Sequence, residues 1–156
     1  MSKSLKRVMT ALADAGLDIA PLELGPETRT AQQAADAAGC ALDQIAKSVI
    51  FAGQTTGQAI LFITAGGNQV DAAKASAVAG EPLGKADAAL IRAQTGFAIG
   101  GVAPIGHLNP ISAFFDPKLM EFPVIYAAAG TPRHIFPIDP AILKRISAAQ
   151  PSDFTA

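Results

Sequence analysis

The sequence of 156 residues contains no tryptophan, one tyrosine and a single cysteine, Cys40. A lone cysteine cannot close an internal disulfide or supply a thiolate cluster for zinc, so the sequence favours a reducing cytoplasm. No run approaches the roughly 18 uninterrupted apolar residues that a membrane span needs. Asp14 and Asp18 interrupt the apolar stretch near the N-terminus, which argues against a secretion signal.

Charge is also scarce, with 16% charged residues and a net charge of −1 from 12 basic and 13 acidic side chains. Proteins that coat a nucleic-acid backbone usually carry a clear basic excess, so DNA is not an expected partner. A protein that grips only the end of a tRNA at a few phosphates is compatible with this balance. Half of the residues are apolar, which excludes a disordered chain and suits one domain.

Apolar periodicity and turn residues predict alternating helices and strands. Helices are predicted over about residues 3–15, 30–38, 71–79, 85–94 and 140–148. Strands are predicted over about residues 19–25, 44–53, 59–66, 111–115, 124–128 and 135–138. We therefore expect the α+β class, with a mixed, mostly antiparallel sheet and flanking helices. The predicted domain spans residues 1–150, and residues 151–156 are predicted to form a flexible tail.

Several familiar sites are missing from the sequence. The glycines at 80 and 84 are too close for a phosphate-binding loop, and the glycines at 96, 100 and 101 do not fit the dinucleotide fingerprint. The two histidines, His107 and His134, have no carboxylates at ligand spacing, so we expect no metal. No GxSxG elbow is present for an esterase triad. No cofactor is expected.

Lys47 is unusual because it lies in an apolar predicted strand. Ile45, Lys47, Val49 and Phe51 share one face of that strand, so the ammonium must leave the core or meet an anion. One interpretation is a strand-end lysine whose amine reaches the surface. The other is a cation at a pocket mouth that holds a phosphate or a developing oxyanion.

The segment Gly96–Gly106 is too rich in glycine for a helix. It is either a winding connection or a loop whose backbone groups approach a ligand closely, because few side chains intervene. His107 at its end and His134 after the Gly130-Thr131-Pro132 turn are each either structural or positioning groups.

Three segments together resemble the signature blocks of the YbaK/EbsC family, which includes free-standing ProX-type proteins and the editing insertion of bacterial prolyl-tRNA synthetases. They are QIAKSVIF (44–51), TGFAIGGVAPIGH (95–107) and AAAGTPRHIFPID (127–139). TRTAQQAADAAGC (28–40) is similar to the small-residue helix that precedes the lysine strand in this family. The resemblance covers about residues 25–140 and implies an aminoacyl-tRNA deacylase, a carboxylic ester hydrolase.

The resemblance also implies residue roles. Lys47 matches the family's essential lysine, and Gly100, Gly101 and Pro104 match the loop beside the aminoacyl ester. Gly130 matches a glycine that helps to wall the amino-acid pocket, and His134 is carried over only as a pocket residue. Ala103 and His107 depart from the family pattern. Further candidates for shaping the pocket are Ile45, Phe51, Ile99 and Val102.

The implied reaction is trans-editing, in which a small amino acid is removed from a mischarged tRNA, with proline tRNA as the expected carrier. An aminoacyl ester is already activated, so orientation and electrostatic support suffice without a protein nucleophile. The partners would be the tRNA acceptor end and, transiently, a synthetase. One alternative is a binding module of the same fold that holds a small ligand or an aminoacyl end without hydrolysis. Another, a general nucleic-acid-binding regulator, is disfavoured by the net charge.

Overall fold

The computed structural model describes residues 2–156. Its helices are α1 (Lys3–Asp14), α2 (Ala31–Ala38), α3 (Ala72–Ala79), α4 (Ala88–Thr95) and α5 (Pro140–Ser147), with short 3₁₀ helices at Leu42–Gln44 and Pro117–Glu121. Its strands are β1 (Leu22–Glu23), β2 (Ile45–Gly53), β3 (Ala59–Ala65), β4 (Leu83–Lys85), β5 (Ser112–Phe115), β6 (Ile125–Ala128), β7 (His134–Ile138) and β8 (Gln150–Pro151).

Local sequence explains where the helices begin and end. The Ser2 side chain accepts a hydrogen bond from Leu5 N at the start of α1, whose buried residues follow helical spacing. Thr30 and Gln33 form a capping box at the start of α2, and Gly39 ends that helix with φ at 72°. The predicted helices therefore exist, and their caps are those that the sequence indicates.

The strands form one mixed sheet in the order β1-β7-β6-β2-β3-β5-β8, with β4 also paired to β2. Antiparallel pairing joins β1 to β7, β7 to β6, and β2 to both β3 and β4. Parallel pairing joins β6 to β2, β3 to β5, and β5 to β8. The predicted α+β class with a mixed, mostly antiparallel sheet is confirmed.

Strand β2 has different neighbours along its two edges. On one edge β3 pairs with it continuously, from Ala46 to Ala52. On the other edge β6 pairs only with Ile45 and Ala46, and β4 pairs only with residues 51–53. Residues 47–50 therefore have no strand beside them on this edge within the described chain. We call this gap the fork.

The fork exposes main-chain groups of β2. Gly53 N donates to Gln58 O on the β3 edge, whereas Gln54 N donates to Pro82 O on the β4 edge. Amide direction alternates along a strand, so residues of even number in β2 present N–H and C=O groups toward the fork. Within the gap these residues are Ser48 and Ile50.

The two faces of β2 are covered by different apolar groups. Ala46 and Ile50 pack into the main core, which also contains Leu5, Val8 and Phe97. Val49 and Phe51 lie on the opposite face, where they pack near Phe62. We call Phe51, Phe62, Phe114 and Phe154 the aromatic cluster. Burial on both faces fixes the register of β2, because a one-residue slip would exchange its faces.

Three boundaries differ from the sequence-based predictions. Helix α4 begins after Asp87, because that side chain caps Leu90 N and residues 83–85 pair with β2 as strand β4. Strand β1 is shorter than predicted, because only Leu22 and Glu23 pair with β7.

The predicted flexible tail over residues 151–156 is also corrected. Gln150–Pro151 extends the sheet beside β5, and Phe154 is fully buried in the aromatic cluster. Asp71 N donates to Phe154 O, and Ala156 N donates to Gln69 O. The apolar contact of one phenylalanine and these main-chain bonds hold the segment, although its composition is that of a loop.

Candidate functional site

A cavity of about 690 Å³ lies at the fork. Residues from both faces of β2 line it, including Lys47, Ser48 and Ile50, because the missing neighbour strand leaves an opening in the sheet. The remaining walls come from the start of α2, from the 99–102 loop, and from β6 and β7. The volume lies within the range of about 300–1,000 Å³ that is typical of small-molecule sites.

The lining combines cations with apolar walls. The cations are Arg29, Lys47 and Lys85, and no aspartate or glutamate lines the cavity. In a chain whose net charge is −1, this arrangement concentrates positive charge at one opening. Low-dielectric walls strengthen the attraction of such a cluster for an anion such as a phosphate.

Lys47 lies on the fork but its ammonium is already bound. The Nζ atom donates a hydrogen bond of 2.6 Å to the main-chain O of Asn68, which lies outside the cavity lining. Burial lowers the pKa of Lys47, and the nearby charges of Asp43 and Asp116 oppose that change. The side chain is therefore neither a freely solvated lysine nor a cation that projects unopposed into the cavity.

Ser48 is a site residue that the sequence analysis did not find. Its Oγ atom is buried and has no hydrogen-bond partner among the described residues. Ser48 lines the cavity, and an unsatisfied buried hydroxyl is costly, so its place at the fork calls for a ligand group or a water. The only sequence signal was a small polar residue inside an otherwise apolar strand.

The glycine-rich loop forms one wall of the cavity. Ile99, Gly100 and Val102 line it, and Ile99 is 61% exposed at the rim. Gly101 packs against the next turn so closely that a Cβ atom there would lie 2.9 Å from Thr131 Cα. The loop and the turn that follows Gly130 are thus fixed to each other as adjoining walls.

Four predicted site residues lie outside the cavity lining, and Gly101, which packs behind the loop wall against Thr131, is one of them. Phe51 belongs to the aromatic cluster and makes an edge contact with Phe62, with 5.8 Å between ring centroids, so the prediction that it shapes the pocket is wrong. Pro104 lines a separate shallow depression beside Ile146. Gly130 has φ at 94° and approaches Ser4 O, so it shapes the turn before Thr131 without lining the cavity itself.

The two histidines have different surroundings. The His134 Nδ1 atom lies 2.6 Å from Thr131 Oγ1, and His134 lines the cavity as predicted. His107 lies elsewhere, with Nε2 at 2.8 Å from Ala103 O and its ring edge-on to Phe97. Burial lowers the pKa of His107, and the contact with Ala103 O opposes that change.

Other lining residues were also absent from the sequence-based set. They come from segments that are far apart in the chain: Thr28, Arg29, Lys85, Tyr126, Thr131 and Pro132. Their positions depend on α2, β4 and β6 meeting around the same gap in the sheet. Local sequence patterns contain no information about that meeting.

Metal-ligand clusters and membrane-spanning helices are both absent from residues 2–156. No group of three or more histidine, cysteine, aspartate or glutamate side chains could hold a metal ion there. No helix in that range is both long and apolar enough to cross a membrane.

The fold and the cavity define a class, namely an α+β domain whose split sheet encloses a cationic, carboxylate-free pocket. A model of the aminoacyl-tRNA editing domain matches residues 25–146, which include the whole cavity lining except Leu24. The chain therefore belongs to the aminoacyl-tRNA editing domain family. The resemblance to this kind of protein inferred from the sequence is confirmed.

Individual proteins and solved structures are similar to this chain. The uncharacterised protein YwhH of Bacillus subtilis (strain 168) is 30% identical over 144 residues, which cover 92% of this chain and 91% of YwhH. A crystal structure of a candidate trans-editing enzyme for prolyl-tRNA synthetase is 41% identical, with a TM-score of 0.93 over 100% of this chain and 99% of that one. Hypothetical protein APE2540 shares the fold at 23% identity, with a TM-score of 0.86 over 96% of this chain and 99% of its own.

Proposed function

We propose that this protein is a trans-editing hydrolase that deacylates mischarged aminoacyl-tRNA, with a small amino acid on proline tRNA as its substrate. The observation that carries the proposal is the cavity at the fork, which joins cations, exposed main-chain amides and apolar walls in a member of an editing family. Such an enzyme would meet its tRNA in the cytoplasm, with at most a transient contact to a synthetase.

The cavity suits the charged end of a tRNA better than a free amino acid. Its volume of about 690 Å³ leaves room for an acyl group together with the terminal nucleoside. Arg29, Lys47 and Lys85 would donate hydrogen bonds to phosphate oxygens of the terminal nucleotides. Such bonds are strong because donor and acceptor are both charged. The apolar walls at Ile45, Ile99 and Tyr126 would receive the amino-acid side chain and the ribose.

The chemistry needs no protein nucleophile. Ser48 Oγ has no hydrogen-bond partner, so no side chain of the protein activates it as a base would. Water would attack the ester carbonyl carbon, and the bond to the ribose oxygen would then break, with a proton from the water ending on that oxygen. One main-chain N–H group at the fork, that of Ser48 or that of Ile50, would stabilise the tetrahedral oxyanion.

The selectivity follows from the size of the walls. A synthetase pocket gains only about 1–3 kcal/mol per methylene, so it charges some tRNA with a slightly smaller amino acid. A second cavity that admits only small acyl groups corrects those errors and leaves the cognate ester intact. Bulky side chains at Ile45, Ile99 and Tyr126 would set this limit.

Binding without hydrolysis is the second candidate function. It is favoured by the bond between Lys47 Nζ and Asn68 O, because the ammonium of the unliganded chain already has a partner that does not line the cavity. Under this alternative, the protein would bind aminoacyl-tRNA and release it intact.

A deacylation screen separates the two functions. Purified protein would be incubated with alanine, 2-aminobutyrate, serine, threonine and cysteine esters of proline and cysteine tRNAs, and amino-acid release would be measured. We expect release of one or more small amino acids, and a loss of at least about 100-fold in Lys47→Ala. Lys144→Ala, on α5 and outside the cavity, is the matched control and should behave as wild type. Tight tRNA binding with no turnover across the panel would instead establish the binding module.

A further inference from the structure

The turn that follows β3 holds the Lys47 ammonium. Gly66 and Gly67 pack closely on Leu42 and Asp43, where a Cβ atom on either glycine would collide. Gly67 N donates to Asp43 Oδ1 at 2.8 Å. The turn thereby brings the Asn68 carbonyl within 2.6 Å of Lys47 Nζ.

Asp116 fixes that turn from the other side. It is only 3% exposed, and its Oδ2 atom accepts hydrogen bonds from Ala65 N at 3.0 Å and from Asn68 Nδ2 at 2.9 Å. Its Oδ1 atom accepts from Lys118 N at the start of the second 3₁₀ helix. A buried carboxylate with three donors is thus joined to Lys47 through one residue, Asn68.

The charged groups around Lys47 belong to the two 3₁₀ helices, counting the residue that caps the second. Asp43 lies in the first 3₁₀ helix and Asp116 precedes the second, and both favour the charged ammonium. Lys118 lies near the same two carboxylates but is paired to Glu121 at 3.0 Å. Two carboxylates therefore favour the charged form of Lys47, while its direct hydrogen bond goes to a neutral carbonyl.

We propose that Asp116 is a positioning residue for Lys47, acting through Asn68 to hold the ammonium beside the cavity until a substrate phosphate replaces the Asn68 carbonyl. This inference rests on the proposed function, because the phosphate belongs to the tRNA end.

The physical basis is the flexibility of lysine. A free lysine side chain samples many rotamers, and ordering it at each encounter would weaken binding. A carbonyl that holds the amine next to the cavity removes most of that freedom in advance. A phosphate forms a charge-assisted hydrogen bond that is stronger than the bond to a neutral carbonyl, so the exchange favours the substrate.

Three variants separate positioning from charge. Asn68→Ala removes the bond to Asp116 but keeps the Asn68 main-chain carbonyl and both carboxylates. Asp43→Asn removes one nearby charge but leaves the contact between Asp116 and Asn68 intact. Asp116→Asn removes a charge and, because its amide nitrogen cannot accept from Lys118 N, also weakens the support of the turn.

Two measurements apply to each variant. The first is the pKa of Lys47, from an NMR titration of its side-chain signals, assigned by their loss in Lys47→Met. The second is kcat/KM for deacylation at neutral pH, alongside the melting temperature. We expect Asn68→Ala and Asp116→Asn to lower kcat/KM by about tenfold, with the loss mainly in KM. The pKa of Lys47 should fall in Asp43→Asn and in Asp116→Asn, because each change removes a nearby negative charge, while Asp43→Asn, whose amide oxygen can still accept from Gly67 N, keeps kcat/KM within about twofold of wild type.

The outcomes that contradict the inference are distinct from those that contradict the function. If Lys47→Ala is inactive but Asn68→Ala and Asp116→Asn match wild type in kcat/KM, the positioning role is wrong and the editing function stands. Equal losses in all three variants, in proportion to melting temperature, would also overturn it, because they would indicate a purely structural network. If wild-type protein deacylates no tRNA, the proposed function fails, and the Lys47 titration still reports on the Asp116 contact.

Discussion

The two sides of strand β2 differ in whether their main-chain groups are paired with another strand. On the β3 side, seven consecutive residue pairs form an uninterrupted ladder beside the aromatic cluster, where Phe62 and Phe154 are fully buried. On the fork side, no strand pairs with the main-chain groups of Ser48 and Ile50, and the buried Ser48 hydroxyl has no protein partner. The main-chain hydrogen bonds of the β3 side are made within the protein, whereas those of the fork side need a ligand or solvent.

This contrast separates the source of stability from the source of function. Paired strands and buried aromatic rings supply the free energy that keeps β2 in place. The unpaired stretch then holds polar groups in fixed positions at a small local cost. Substitutions on the two sides should therefore change different measured quantities.

The largest effect is expected from Phe62→Ala on the β3 side. Removal of this fully buried ring, which contacts three other phenylalanines, should lower the free energy of unfolding by about 3–5 kcal/mol. Urea denaturation measures the change. At a temperature where the variant stays folded, its KM should match wild type, and a large change in KM would mean that the two sides are not separable.

Gly101→Ala should affect activity more than stability. An added Cβ atom would lie 2.9 Å from Thr131 Cα, so the loop wall must move away from the turn wall. We expect kcat/KM for deacylation to fall by about 100-fold, because small displacements of a positioning wall are costly. Gly57→Ala is the control, because nothing lies within 4 Å of the new atom there, and its positive φ of 71° confines any backbone strain to a turn outside the cavity. Equal activity in both variants would argue against a rigid wall at Gly101.

Ser48→Ala should have opposite effects on binding and folding. Loss of a buried hydroxyl without a partner should leave the free energy of unfolding unchanged or raise it by about 1 kcal/mol. Loss of a hydrogen bond to substrate should raise KM by about fivefold. Thr64→Ala, which removes a hydroxyl bonded to Phe62 O on the β3 side, should instead reduce stability without changing KM. A destabilised Ser48→Ala with normal KM would assign Ser48 to the scaffold.

The smallest effect is expected from Arg29→Ala at the rim. Loss of one phosphate contact should raise KM by about threefold at low salt and reduce the dependence of log KM on log salt by about 0.7. Kinetics between 50 and 200 mM salt would measure this slope. Arg92→Ala, an exposed residue on α4 outside the cavity, should leave the slope unchanged. An unaltered slope in Arg29→Ala would remove this side chain from the phosphate contacts.

The sequence predicted elements with strong local signals. The β2–β3 hairpin is recognisable from two apolar runs around a turn, and α2 from Thr30, Gln33 and Gly39. Lys47 stood out because a cation in an apolar strand requires an explanation, and it does lie at the cavity. Ile45, Ile99, Gly100, Val102 and His134 also line the cavity, and their functional roles stay predictions.

Features that depend on tertiary packing were not predictable. The fork exists because β4 and β6 reach β2 at opposite ends, and β4 was not predicted, since Lys85 was assigned to a helix and residues 83–84 to no element. Phe51 was assigned to the pocket because strand alternation identifies a face and not what covers it. Phe154 was assigned to a tail because nothing local indicates that its ring completes an aromatic cluster formed by residues far away in the chain.

Amides along the open stretch of β2 belong to the main chain, so no side-chain substitution can delete them. Mutations at Ile45, Ile99 or Tyr126 would reshape the surrounding walls and leave this polar row in place. Under the proposed function, a descendant of this fold could change its preferred acyl group by single substitutions and still hold the reacting carbonyl at each intermediate. Sequence differences among such proteins would then concentrate in residues of the cavity walls, while the hydrolysis reaction stays the same.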